Sequence, residues 1–141
     1  MIGWIAYLVL VLPLWFLAAT GRALANTPLT IGLQVAGLAL IVWARVTFGW
    51  RSFHAGSNPT EGGLVTSGPY RFVRNPIYAG VLLMFAGAIA AHPDLPAFAA
   101  GAVAFAAIGV RIASEEKLVA AKYPDYAAYA KRTRRLIPFV F

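Results

Sequence analysis

The first twenty residues, MIGWIAYLVLVLPLWFLAAT (1–20), contain no charged side chain. A helix over this stretch rises about 1.5 Å per residue and so reaches roughly 30 Å, the thickness of a bilayer's hydrocarbon core. Ala23-Leu24-Ala25 imitates a signal-peptide cleavage site. No basic segment precedes the run, however, and the run is too long for a signal core. The stretch therefore predicts a membrane span, which Pro13 is expected to bend. The rest of the chain reads the same way. Its 141 residues are 60% apolar and only 12% charged, with a mean hydropathy of +0.71. A soluble domain carries about 25% charged residues. One this small has too little interior to hide so much apolar surface, and a disordered chain would be polar. The length predicts one domain, residues 1–141.

A second span is expected from Pro28 to Ala44, capped by Asn26 or Thr27, with Trp43, Arg45 and Trp50 at its interface. Residues 51–76 hold Gly56, Gly62, Gly63, Gly68, Pro59, Pro69 and Pro76 and read as a loop. A loop that long without regular structure is usually functional. Two shorter apolar stretches follow, Ile77–Ala91 and Pro96–Val110. The four-residue link 92–95 predicts a tight hairpin. Arg111–Lys122 continues the fourth helix out of the membrane, and a short helix is expected from Pro124. The fold class is all-α: an integral membrane helical bundle of about four transmembrane helices with a cytoplasmic C-terminal helical tail.

Charge sets the orientation. The chain has 12 Lys+Arg against 5 Asp+Glu. Arg51, Arg71, Arg74 and all seven basic residues of the tail fall on one side of a four-span topology, and Arg22 on the other. The positive-inside rule makes the basic side cytoplasmic, with both termini there. A bacterial inner membrane is the expected location. Basic charge beside apolar spans points to anionic headgroups rather than to nucleic acid.

The absences exclude much chemistry. The chain has no Cys, and no GxSxG, HExxH, Walker A or GxGxxG motif. His54 and His92 fall on opposite sides of the membrane in this topology, so no metal site is expected.

What is present clusters on the cytoplasmic side. In Gly68-Pro69-Tyr70-Arg71-Phe72-Val73-Arg74-Asn75-Pro76-Ile77-Tyr78-Ala79-Gly80, prolines fix the backbone at the mouth of a helix. Arg74 beside the free amides of that helix N-terminus makes a carboxylate-binding arrangement. A basic turn that merely anchors the helix has the same composition. Glu115-Glu116 are acidic residues in a chain with few. They would receive polar groups of a ligand, or pair with Lys117 or Arg111. Tyr123, Tyr126 and Tyr129 would stack on a flat base or lie at headgroup depth. Lys131-Arg132-Thr133-Arg134-Arg135 would attract anionic lipid.

Two of these segments carry a resemblance. GLVTSGPYRFVRNPIYAG, two short spans, then RIASEEKLVAAKYPDYAAYAKRTRRLIP resembles the isoprenylcysteine carboxyl methyltransferase family, which shares much of its pattern with phospholipid N-methyltransferases. The resemblance covers roughly residues 60–138. It implies a helical membrane enzyme that uses S-adenosyl-L-methionine, bound between the hairpin helices and the tail, to methylate a lipophilic acceptor. Arg74, Pro76 and Tyr78 match the Arg-x-Pro-x-Tyr motif, and Gly68 and Tyr70 the turn before it. Glu115, Glu116 and Leu118 match the paired-glutamate segment, Tyr126 and Tyr129 the Tyr-x-x-Tyr pair, and Arg135 and Pro138 the Arg-x-x-Pro ending. Asn75 stands where many relatives have His; it can hydrogen-bond but cannot titrate.

Arg74, Arg135 and Glu116 are the expected catalytic residues. Tyr70, Asn75, Pro76, Tyr78, Gly80, Glu115, Glu116, Tyr126 and Tyr129 are the expected cofactor-binding ones. A carboxylate acceptor is already ionised at pH 7 and needs no base, which suits a site without a usable histidine. The alternatives are an amine acceptor in a phospholipid, and a non-enzymatic membrane scaffold. Expected partners are a lipophilic substrate and membrane lipids; a homo-oligomer is compatible with so few spans.

Overall fold

The computed structural model describes residues 2–49 and 63–137, the side chains of residues 2–8 excepted. Its helices are α1 (Ile2–Ala19), α2 (Pro28–Phe48), α3 (Pro76–Ala91), α4 (Leu95–Lys122) and α5 (Tyr126–Arg132), with a 3-10 turn at Gly68–Arg71. Among the described residues there is no strand, only an isolated parallel bridge between Val73 and Arg134. Much of the expected 51–76 loop, with Arg51 and His54, lies outside the described residues, as does Pro138.

Local chemistry explains the helix ends. Thr27 caps α2 in a reciprocal box with Thr30, and Pro28 occupies the first turn, where no amide is needed. The Asp94 carboxylate accepts from the Ala97 amide and starts α4. Pro13 lies inside α1 without interrupting it. The last helix starts at Tyr126 rather than at Pro124, because Pro124 and Asp125 form the turn that leads into it. Gly68 opens the 3-10 turn at φ +56°, a left-handed conformation that favours glycine, and its Cα faces Thr47 of α2.

The packing inverts that of a water-soluble domain. Small side chains are inside: Ala88, Ala97, Ala100, Ala104 and Ala107 are buried. Large apolar ones face out, with Trp15 66%, Leu29 76% and Phe105 58% exposed. Soluble proteins bury such residues, whereas helices in lipid use small residues at their contacts. By length and composition α2 and α4 can each cross a membrane, both with a mean hydropathy of 1.8; α3, Pro76–Ala91, is shorter. The hairpin partners α3 and α4 are not each other's main neighbours. Instead α2 lies along α3, and α1 along α4. Leu17, Phe85, Ala97 and Ala100 join the two pairs in one core.

The two ends of the bundle differ. At one end Arg22 pairs with Asp94 at 2.7 Å, His92 Nε2 lies 3.1 Å from the Leu24 carbonyl, and Gln34 Nε2 donates to the Ala23 carbonyl at 2.7 Å. The first two contacts tie the α1–α2 link to the α3–α4 link, and the third ties the α1–α2 link to α2. The opposite end gathers residues 63–76, the polar end of α4, and α5.

Candidate functional site

Successive residues on a helix point about 100° apart, so Glu115 and Glu116 serve two different clusters. Glu116 turns toward the loop and the tail. Its Oε1 accepts from Arg74 Nε at 3.0 Å and from Asn75 Nδ2 at 3.2 Å. Its Oε2 accepts from Arg135 Nε at 3.0 Å. The anion that meets Arg74 at the start of α3 is thus the chain's own carboxylate.

Arg74 also organises the tail. Its Nη1 donates to the Ala130 carbonyl at 2.9 Å and to the Thr133 carbonyl at 2.7 Å. Main-chain bonds run alongside. The Arg74 amide donates to Arg134 O at 2.7 Å, the Asn75 amide to Arg135 O at 3.2 Å, and the Arg134 amide to Phe72 O at 3.1 Å. Residues 133–137 therefore form a strap across the start of α3. Leu136 pins its end against Ile108 and Ile112.

Glu115 faces α3. Tyr78 Oη donates to Glu115 Oε1 at 2.7 Å and accepts from Arg111 Nε at 2.7 Å. Arg111 Nη2 closes the triangle on Glu115 Oε1 at 2.5 Å. Arg111 is only 7% exposed. A guanidinium this buried is costly to desolvate unless it is paired, and here it is.

The α5 tyrosines point inward. Tyr129 Oη donates to the Tyr70 carbonyl at 2.7 Å, and its ring meets that of Tyr126 edge-on at 6.1 Å. Burial pushes the Tyr70 phenol up to about 12. Burial, then the Glu116 charge, does the same for Tyr126, and burial, then Tyr126, raises Tyr129. All three phenols are protonated donors at neutral pH. Tyr126 Oη is buried and has no hydrogen-bond partner among the described residues. Leaving a buried hydroxyl unpaired costs about 1–3 kcal/mol, and the Glu116 and Arg74 side chains lie beside this one.

Of the residues singled out in the sequence, Arg74, Asn75, Glu116 and Arg135 meet in one cluster and Tyr78 and Glu115 in the other. Tyr126 and Tyr129 roof the tail side, Tyr70 is buried beneath them, and Pro76 is fully buried in the first turn of α3. Gly80 is not brought to either cluster. Its Cα faces the Gly37 carbonyl and Ile41 of α2, which makes it a helix-packing glycine. Sequence reasoning missed Arg111 as a member of the site. The available signal was a lone arginine ending an apolar run four residues before a glutamate.

Fold and site together define an all-helical protein with an apolar outer surface and a dense polar site at one end. Residues 26–126 match the phospholipid methyltransferase family, and the chain belongs to that family, one of membrane methyltransferases. The match begins at Asn26 and so takes in α2 as well as the motif-bearing half. The chain is similar to the cobalt-zinc-cadmium resistance protein CzcN of Cupriavidus metallidurans, with 34% identity over 113 residues, 79% of this chain and 50% of that protein. It is also similar to the nickel-cobalt-cadmium resistance protein NccN of Alcaligenes xylosoxydans xylosoxydans, with 30% identity over 115 residues, 80% of this chain and 53% of that protein. The chain spans about half the length of both. No solved structure matches it.

Proposed function

We propose that the chain is an S-adenosylmethionine-dependent methyltransferase of the membrane, acting on a lipophilic acceptor whose reacting group is a carboxylate. In this reading α1–α4 all cross the bilayer, the polar end faces the cytoplasm, and the acceptor's apolar tail lies among lipid. The observation that carries the reading is the buried Tyr126 Oη, unpartnered among the described residues, in the cluster with Glu116, Arg74 and Arg135 of a chain of this family.

The donor set fits the cofactor. Guanidinium, carboxamide and phenol groups suit its carboxylate, and two glutamates suit its ammonium and sulfonium charges. When bound, S-adenosylmethionine would supply an electrophilic methyl group for transfer to the acceptor's carboxylate oxygen. Arg74, Asn75 and Tyr126 would hold its amino-acid end, with Tyr126 and Tyr129 closing the tail side against water. Arg111, buried on the bilayer side, would meet the acceptor's carboxylate and exchange part of its bond to Glu115. Alignment and exclusion of water are the main tasks, since an ionised carboxylate needs no base. The family match also favours a second reading, an amine acceptor on a phospholipid, whose ammonium charge Glu115 would attract.

The printed names of the two relatives concern metal resistance; among the described residues no three His, Asp or Glu side chains gather. Calorimetry of S-adenosylmethionine on detergent-purified protein tests the reading, followed by methyl transfer to a prenylcysteine analogue and to phosphatidylethanolamine. Micromolar binding supports it, and the acceptor that is methylated chooses between carboxylate and amine. No binding by folded protein in either detergent or lipid overturns it.

Tyr126→Phe isolates the key observation. Removing an unpaired buried hydroxyl is expected to leave the ligand-free protein as stable or up to about 1 kcal/mol more stable. The same change is expected to weaken cofactor binding about tenfold, the loss of one hydrogen bond. Thermal melting and calorimetry on one preparation read both. Lower stability with unchanged affinity would make Tyr126 a packing residue.

A further inference from the structure

The strap does not run off into the cytoplasm. Leu136 is buried against Ile108 and Ile112, so the chain returns to the level of the apolar part of α4. Ile108 lies about 10 Å along the helix axis from Glu115, at about 1.5 Å per residue. The residues just before Leu136 are thereby held at the edge of the apolar zone. Lys131, Arg132 and Arg134 are exposed there. Their side chains have no hydrogen bond or ion pair among the described residues. Residues 126–137 contain no acidic residue to balance them. Apolar side chains border the cations: Ile137 is 54% and Phe72 41% exposed, with the Arg71 guanidinium 4.7 Å above the Phe72 ring. Cations interleaved with exposed apolar groups at this depth match a headgroup layer over hydrocarbon.

We propose that this face of the strap docks on anionic phospholipid headgroups, and that the docking holds the strap over Glu116. The strap's polar tethers among the described residues include the main-chain bonds to residues 72–75, the Arg74 side-chain bond to Thr133 O, the Asn75 side-chain bond to Arg135 O, and the pair between Arg135 and Glu116, whose arginine side chain is 44% exposed. Lipid charge adds to them from outside. A soluble polyanion would find the same cations but would leave Phe72 and Ile137 in water.

The proposal rests on the membrane reading above, which carbonate extraction of membranes tests by itself: a chain that is extracted fails that reading before any lipids are compared. The test of docking uses the full chain in nanodiscs of phosphatidylcholine, with and without phosphatidylglycerol. Amide hydrogen exchange is read at Arg74, Asn75 and Arg134, whose amides carry the strap ladder. Phosphatidylglycerol is expected to slow exchange about tenfold, and high salt to reverse the effect. In the K131Q/R132Q/R134Q variant the two lipids should give the same rates. Equal rates for the natural chain overturn the proposal, as does a lipid effect that survives in the variant. Slowing by inorganic phosphate in pure phosphatidylcholine assigns the cations to a free anion and also overturns it. Should the triple variant not reconstitute, the salt dependence of the natural chain decides: a lipid effect that salt leaves intact counts against docking.

Discussion

Glu116→Ala is expected to lose cofactor binding and to lower the protein's stability together. The Glu116 carboxylate is 14% exposed and the Arg74 side chain that it meets is 13% exposed. Removing one partner of so enclosed a pair leaves a cation without its counter-charge, at a cost of about 3 kcal/mol. Arg74 keeps its bonds to the Ala130 and Thr133 carbonyls, so the tail is not released outright. The Arg135 contribution is small, since that side chain is 44% exposed and water screens the pair. Cofactor affinity should fall at least about 100-fold, the usual result of truncating an enclosed, hydrogen-bonded charge partner. Glu116→Gln should fall between. Its carbonyl can still accept from Arg74 and Asn75, but its amide nitrogen would confront Arg135. Thermal melting with calorimetry reads both effects. A Glu116→Ala protein with an unchanged melting temperature and affinity would remove Glu116 from the site.

The two clusters also show where sequence reasoning reaches and where it stops. Thr27-Pro28 and the short link before α4 announce their helix starts, because capping is local chemistry. Counting four spans puts residues 51–76 and the tail on one side, which is enough to bring Arg74, Glu116 and Arg135 to the same end of the chain's helices. The ladder between residues 72–75 and 134–135 was not legible. Its bonds are main-chain to main-chain across about 60 positions, and no side-chain pattern encodes them. The burial of Arg111 was hidden for a related reason. Four residues from Glu115, it reads as an ordinary surface pair until α3 brings Tyr78 against it. Helix pairing was hidden as well: a four-residue link predicts that α3 and α4 embrace, yet α3 finds its close fit on α2.

That close fit makes Gly80→Ala a disruptive substitution, as it does the reciprocal Gly37→Ala. A Cβ at Gly80 would lie 2.6 Å from the Gly37 carbonyl oxygen and 2.6 Å from Ile41 Cγ1. A Cβ at Gly37 would lie 2.5 Å from the Gly80 carbonyl oxygen. Backbone cannot swing aside as a side-chain end can, so α2 and α3 must move apart. Overpacking of this kind costs about 1–3 kcal/mol, more than the roughly 1 kcal/mol that alanine gains over glycine in a helix. Gly32→Ala, on the same α2, is the control, because nothing lies within 4 Å of the added Cβ. It should leave stability unchanged or raise it by up to about 1 kcal/mol. The same chemical change thus carries opposite signs at two positions, decided by what each Cα faces. The pair also separates packing from cofactor binding at Gly80. As a packing glycine, Gly80→Ala lowers the melting temperature while the protein that remains folded binds S-adenosylmethionine nearly as well as before. A normal melting temperature with lost affinity would instead return Gly80 to the cofactor site and require α3 to be rotated toward Glu116.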